Sequence, residues 1–106
     1  MSNIFNLKGI ELASDDEKQV INHYLEEYYN KLIRYLDINS IDFSLKTYKN
    51  QGKNKNYSVH IRVKSQNTSF EADYSDWDLA KVIHKVFSKV MNEIEKQLHL
   101  SDHNKK

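Results

Sequence analysis

The stretch from Ile41 to Tyr74, IDFSLKTYKNQGKNKNYSVHIRVKSQNTSFEADY, decides the fold of this chain. Apolar and polar residues alternate along it in three successive runs. The apolar positions are Ile41, Phe43, Leu45, then Tyr57, Val59, Ile61, Val63, then Phe70, Ala72, Tyr74. A period of two is typical of strands with one buried face. Polar segments at 50–54, which contains a glycine, and at 66–69 predict the turns between three antiparallel strands.

The other face of these strands is predicted to be wet and largely basic. Between Phe43 and Phe70 the sequence has six basic residues and no acidic one, a local excess that the net charge of +1 conceals. The six are Lys46, Lys49, Lys53, Lys55, Arg62 and Lys64. Two interpretations stay open, because lysines on a strand can contact a polyanion or simply deter aggregation.

Two long helices flank the strands. The segment from Ser14 to Glu17 is a capping box, and the apolar stripe after it predicts a helix that ends near Leu36 or Asp37. Its stripe comprises Val20, Ile21, Tyr24, Leu25, Tyr28, Leu32 and Leu36. Ser75 or Asp76 is predicted to cap the second helix, and the chain is expected to fray beyond His99. Its stripe comprises Leu79, Val82, Ile83, Val86, Phe87, Val90, Ile94 and Leu98.

The N-terminal residues are predicted to add a short strand, which Gly9 interrupts. The order is then β-α-β-β-β-α. Since each helix and the sheet have one apolar face, we predict a two-layer α+β domain with both helices on one face of a mostly antiparallel four-stranded sheet. Residues 1–100 are assigned to this single domain and 101–106 to a polar tail.

The composition argues against several classes of function. Without cysteine, disulfides, thiol chemistry and cysteine-ligated metals are excluded. No apolar run approaches the roughly 18 residues of a membrane span, and no signal peptide is recognisable, so a cytoplasmic protein without a membrane partner is expected. No phosphate-binding glycine loop or catalytic motif is present, so no enzyme, cofactor or small-molecule substrate is predicted. His99 and His103 have helical metal-ligand spacing but no third ligand, and no metal site is predicted.

Lysines recur on the polar face of the second helix. Lys81, Lys85 and Lys89 are four residues apart, with His84 beside them. Like charges at this spacing repel by roughly 0.2–0.5 kcal/mol per pair, so helix formation does not favour them. Contact with phosphates would explain the row, and an ordinary solvated face in a lysine-rich protein is the alternative.

Three segments resemble a known family. SIDFSLKTYK (40–49), NYSVHIRV (56–63) and FEADYSDWDLAKVI (70–83) are similar to the last three strands and the opening of the last helix of the ribosome hibernation-promoting factors and ribosome-associated inhibitors. In that opening Asp78, Ala80 and Ile83, followed by Phe87 and Lys89, fit the family pattern. The resemblance extends over nearly the whole chain and corresponds to the short form of the family.

The resemblance implies a stress or stationary-phase factor that lies in the decoding channel of the small ribosomal subunit and blocks mRNA and tRNA. It implies no enzymatic activity, and we expect the isolated domain to be a monomer. Contact with rRNA phosphates would be independent of sequence and sensitive to salt. The candidate RNA-binding residues are Lys31, Arg34, Lys46, Lys49, Lys53, Lys55, His60, Arg62, Lys64, Lys81, His84, Lys85 and Lys89.

Two other functions stay open. A double-stranded-RNA-binding module also has a helix, three strands and a helix in this order, but its last helix opens with a basic, glycine-rich segment where this chain has Asp76 and Asp78. A protein-interaction or dimerisation domain would use Tyr29 and Tyr35, which lie off the main stripe of the first helix.

Overall fold

The computed structural model describes residues 4–49, 55–66 and 68–103, with only the backbone of Lys49 and of residues 98–103. The predicted order of elements is confirmed, and the turn predicted at 50–54 lies outside the described residues. The elements are β1 (Phe5–Lys8), a 3₁₀ turn (Ile10–Leu12), α1 (Asp15–Leu32), β2 (Ile38–Lys49), β3 (Lys55–Ser65), β4 (Ser69–Asp76) and α2 (Leu79–His103).

The four strands form one sheet in the order β1-β2-β3-β4. The β2–β3 and β3–β4 pairs are antiparallel, and β1 is parallel to β2 because α1 carries the chain back across the sheet between them. Ile61 lies opposite Phe43 on one side and Ala72 on the other, so the apolar positions share one face. The predicted mostly antiparallel sheet is confirmed.

Both helices cover this apolar face, as predicted. The buried side chains are Ile21, Leu25, Tyr28 and Leu32 of α1, Leu79, Val82, Ile83, Val86, Phe87, Val90 and Ile94 of α2, and Ile41, Phe43, Leu45, Val59, Ile61, Val63 and Phe70 of the sheet, with Ala13 before α1. Among the described residues no polar or charged residue is buried. The sheet face away from the helices, here called the open face, therefore carries the polar side chains of the strands.

Gly9 ends β1 and is required there by its geometry. Its φ is +80°, a left-handed backbone conformation that is unfavourable for residues with a Cβ atom. A Cβ at this position would lie 2.0 Å from the backbone oxygen of Leu45. The predicted short strand is confirmed. At Gly9 the chain leaves the sheet while its backbone packs closely against β2.

The first helix ends earlier than predicted, at Leu32 rather than near Leu36. Residues 33–35 continue as a turn in which the amide of Tyr35 donates to the oxygen of Leu32 at 2.9 Å, a tighter pattern than an α-helix. Leu36 still packs against the core. The apolar stripe continues past the helix because the chain tightens there before it enters β2 at Ile38.

The second helix begins later than predicted and its cap is different. Ser75 and Asp76 belong to β4, where they pair with Ser58 and Tyr57 of β3. The cap is Asp78, whose carboxylate accepts a hydrogen bond from the Lys81 amide at 3.3 Å. At the other end the helical backbone continues to His103, beyond the predicted fraying at His99, since neither glycine nor proline follows Leu79.

Candidate nucleic-acid interface

The predicted RNA-binding residues fall on two opposite surfaces of the domain. Those on the helices are Lys31, Lys81, His84, Lys85 and Lys89, with Arg34 in the turn after α1, and together they are called here the helix surface. Those on the open face are Lys46, His60, Arg62 and Lys64. Lys55 begins β3, and Lys53 and the Lys49 side chain lie outside the described part of the chain.

The solvent-facing side of α2 carries cations without intervening acids. From Leu79 to Asn92 the helix has no acidic residue. Lys81 forms an ion pair with Asp76 at 3.3 Å, and this hydrogen bond raises the pKa of the Lys81 ammonium. Lys85 is exposed and has no ion pair within the described part of the chain. The row predicted from spacing therefore exists as an exposed, mostly unneutralised line of charge.

Lys89 has a second role at the edge of the sheet. Its Nζ donates to the backbone oxygen of Asp73 in β4 at 3.0 Å and lies 5.4 Å from the centroid of the Tyr74 ring. Because β4 is an edge strand, the lysine occupies a backbone acceptor that another strand would otherwise use. The side chain thus fastens α2 to β4 while its charge stays near the surface.

A polar contact joins the two helices at Tyr28, which the sequence assigns only to the core. The ring of Tyr28 stacks on Phe87 with centroids 4.6 Å apart, and its hydroxyl lies 2.6 Å from Nδ1 of His84. Lys31 lies over the same ring, with its Nζ 4.9 Å from the centroid. The clue in the sequence was a tyrosine in an apolar stripe, because a buried tyrosine needs a partner for its hydroxyl.

The open face has mixed charge rather than the largely basic character predicted for it. Arg62 lies between Asp42 on β2 and Glu71 on β4. It forms an ion pair with Glu71 at 2.9 Å, and His60 contacts the same carboxylate at 3.0 Å. The hydrogen bonds from His60 and Arg62 lower the pKa of Glu71. The basic residues of the acid-free stretch are thus partly neutralised by Asp42 and Glu71, the acids that lie just before and just after it in the sequence.

The same pairing continues toward β1. Lys64 lies 3.7 Å from Asp42, whose carboxylate also accepts a hydrogen bond from the Asn6 amide at 2.8 Å. Lys46 is exposed, with no ion pair in the described segments. Of the predicted cations on the open face, only Lys46 therefore lacks a carboxylate neighbour among the residues that the structure describes.

Lys55 belongs to a separate cluster that ties the start of α1 to the sheet. Its Nζ lies 3.5 Å from Glu17, and the Tyr57 hydroxyl donates to the same carboxylate. Burial and the hydrogen bond to Glu17 raise the pKa of Tyr57 to about 12. Partial burial opposes ionisation of Glu17, but the hydrogen bonds from Tyr57 and Ser14 and the Lys55 charge outweigh it and lower the pKa of Glu17.

The two tyrosines of the proposed dimer interface have different environments. Tyr29 packs edge to face against Phe5 of β1, with centroids 5.6 Å apart. Tyr35 is 43% exposed but lies in the turn after α1 rather than on the helix. The contact with Phe5 uses Tyr29 within the domain, which weakens the case for an aromatic face on α1.

The described residues contain no cluster of three or more His, Asp or Glu side chains that would hold a metal ion. Over the same residues, no helix has both the length and the apolar character needed to span a membrane.

Two solved structures share this fold. The N-terminal domain of Protein Y from Thermus thermophilus superposes with a TM-score of 0.59 at 16% identity, over 91% of this chain and 98% of that one. A ribosomal subunit interface protein from Coxiella burnetii superposes with a TM-score of 0.60 at 16% identity, over 90% of this chain and 97% of that one. The resemblance read from the sequence is confirmed at the level of the fold. No protein family profile matches the chain, and no curated protein matches it in sequence.

Proposed function

We propose that this chain is a ribosome-associated factor that binds the small ribosomal subunit and inhibits translation without catalysing a reaction. The observation that carries the proposal is the fold, shared over about nine-tenths of the chain with a ribosomal subunit interface protein. In this proposal the domain acts in the cytoplasm as a monomer. It occupies the decoding channel under stress or in stationary phase, and there excludes mRNA and tRNA.

The helix surface is proposed as the main contact with rRNA. Its α2 side presents Lys85 and Lys89 on a helix face that lacks acids up to Asn92. Backbone phosphates of folded RNA are recognised by such point charges without regard to sequence. The ion pair of Lys81 with Asp76 is partly exposed, and exposed pairs contribute only about 0–1 kcal/mol. A phosphate can therefore replace the carboxylate at little cost.

Co-sedimentation with purified small ribosomal subunits tests the proposal. We expect binding at about 100 mM salt that weakens steeply as salt rises, because counterions return to the RNA. Folded protein that stays in the supernatant at this salt would refute the proposal. Tight binding to a plain RNA duplex, with none to subunits, would instead favour the double-stranded-RNA-binding alternative.

A matched pair of variants tests the helix surface. Lys85→Glu reverses one exposed charge on α2, and Lys18→Glu makes the same change in net charge at the start of α1, away from the open face. We expect Lys85→Glu to weaken binding at least about threefold and to flatten the slope of log K against log salt by roughly 0.7–0.9 per lost phosphate contact. Equal effects of the two variants would show that only net charge matters.

The open face is tested by Glu71→Gln. This change removes the carboxylate shared by His60 and Arg62, so the face gains positive charge. We expect binding to strengthen if the open face also contacts RNA, and to stay the same if the helix surface carries the contact alone. Circular dichroism spectra of the variant and the wild type should coincide, because exposed pairs stabilise the fold little.

A further inference from the structure

The boundary between the two helices contains a buried hydroxyl directed at an exposed imidazole. Tyr28 is 5% exposed, and its ring is fixed by the parallel stack on Phe87. Its hydroxyl lies 2.6 Å from Nδ1 of His84, whereas His84 itself is exposed. A buried hydroxyl that donates no hydrogen bond is costly, so this contact fixes the histidine as well as satisfying the tyrosine.

We propose that Tyr28 donates to Nδ1 of His84 and thereby presents the Nε2–H of His84 to solvent as a phosphate-binding donor between α1 and α2. A neutral imidazole has one donor and one acceptor nitrogen, so a hydrogen bond accepted at Nδ1 places the proton on Nε2. Tyr28 is a positioning residue in this arrangement, and His84 is the residue that contacts the ligand. The inference rests on the proposed function and names a specific contact within it.

The state of the tyrosine supports this direction of donation. Burial raises the pKa of the Tyr28 hydroxyl, so the hydroxyl keeps its proton at neutral pH. Its proton is therefore available for donation to Nδ1 of His84.

The surroundings of His84 suit a phosphate. Lys31 of α1 lies over the ring of Tyr28. The hydroxyl of the same tyrosine contacts His84. Lys81 precedes His84 by three positions and so shares its helix face, and Lys85 is its neighbour in sequence. Lys31 forms an exposed ion pair with Glu27 at 3.9 Å, and a phosphate can displace this carboxylate. One phosphate group could thus contact a donor from each helix.

Four variants separate the roles of the two nitrogens. His84→Asn keeps a group near Nδ1 for Tyr28 but has no outward donor, whereas His84→Gln reaches the Nε2 position. Tyr28→Phe removes only the hydroxyl, and Tyr29→Phe is the matched control because Tyr29 packs on Phe5 instead. We expect Tyr28→Phe and His84→Asn to bind small ribosomal subunits about 3- to 10-fold more weakly, with His84→Gln and Tyr29→Phe within about twofold of wild type.

The tautomer of His84 is read directly from the nitrogen chemical shifts of its ring at about pH 8. We expect the proton on Nε2 in the wild type and a mixture of the two tautomers in Tyr28→Phe. This readout does not depend on ribosomes, and binding is measured well below the melting temperature of each variant.

The outcomes separate the inference from the proposed function. A proton on Nδ1 in the wild type, or wild-type affinity in both Tyr28→Phe and His84→Asn, would overturn the inference while the ribosome proposal stands. Absence of wild-type binding to subunits would overturn the proposed function, and the phosphate contact of His84 would fall with it.

Discussion

Removing the Glu17 carboxylate should destabilise the domain far more than its place in the first turn of a helix suggests. One oxygen of Glu17 accepts a hydrogen bond from the Ser14 amide at 2.9 Å, which closes the capping box of α1. The other accepts from the Tyr57 hydroxyl of β3, and Lys55 lies 3.5 Å away. A single side chain thus joins the start of α1 to the sheet.

The magnitude follows from these contacts. A hydrogen bond to a charged acceptor contributes roughly 1.5–3 kcal/mol, the reciprocal half of a capping box about 0.5–1 kcal/mol, and a partly exposed ion pair less than about 1 kcal/mol. We therefore expect Glu17→Ala to lower the free energy of unfolding by about 2–4 kcal/mol. For a domain of this size the melting temperature should fall by about 10–25 °C. Glu17→Gln keeps an acceptor and should cost about half as much.

The pH dependence has a definite sign. The folded pKa of Glu17 lies below its unfolded value, so ionised Glu17 stabilises the fold above the unfolded pKa of about 4.3. This contribution is lost as pH falls through the folded pKa. The stability difference between wild type and Glu17→Gln should therefore be largest at neutral pH and shrink below about pH 4.

Urea unfolding at pH 7 and pH 3.5, followed by circular dichroism, measures both effects. Glu26→Gln is the matched control, because Glu26 is an exposed residue of the same helix with no ion pair in the described part of the chain. If Glu17→Gln and Glu26→Gln unfold at the same urea concentration at pH 7, the Glu17 contacts do not hold α1 to the sheet.

Three further changes test the fold. Gly9→Ala should cost more than about 2 kcal/mol in chemical unfolding, since its Cβ meets the backbone oxygen of Leu45; an unchanged midpoint would contradict the left-handed turn. Asp78→Ala should cost about 1 kcal/mol and Asp78→Asn much less, because only alanine loses the cap; equal urea midpoints would contradict this assignment. Phe43→Ala should cost about 3–5 kcal/mol and lower the melting temperature sharply; a small loss would show that the core collapses around the cavity.

The period of hydrophobic residues was enough to predict the layers of this fold. Apolar residues every second position from Ile41 to Leu45, and every third or fourth from Leu79 to Ile94, lie in the core as predicted. These patterns are local, and each specifies one buried face. The sheet and the two helices each have one apolar face. Few arrangements of these three elements bury all three faces at once.

The helix boundaries could not be predicted in the same way. Ser75 and Asp76 resemble a helix cap, but pairing with β3 keeps them in a strand, and Asp78 becomes the cap. Leu36 continues the helical period of α1 although the backbone has already tightened into a turn. In both places a contact remote in sequence, or the need to enter the next strand, overrides a local preference.

Counting charges along the sequence does not predict the charge of the open face, because the count ignores the register of the strands. The acid-free stretch begins after Asp42 and ends before Glu71, and the strand pairing places both opposite Arg62. The row of lysines on α2 survives because its neighbours are four residues apart on one helix, where sequence spacing does report proximity. The regular spacing of lysines on a helix thus predicts a charged surface. An acid-free stretch that spans three strands and two turns does not, because strand pairing brings in acids from outside the stretch.

The thickness of the domain limits how RNA can meet these charges. Its smallest principal dimension is 19 Å, and the helix surface and the open face lie on opposite sides of it. A flat duplex can therefore contact only one of them, and α2 on the helix surface has no acidic residue from Leu79 to Asn92. A channel that encloses the domain can contact both, and phosphates there would compete with Glu71 for Arg62. A salt slope that falls when either face is altered would indicate an enclosing site, and one that responds only to α2 a single surface.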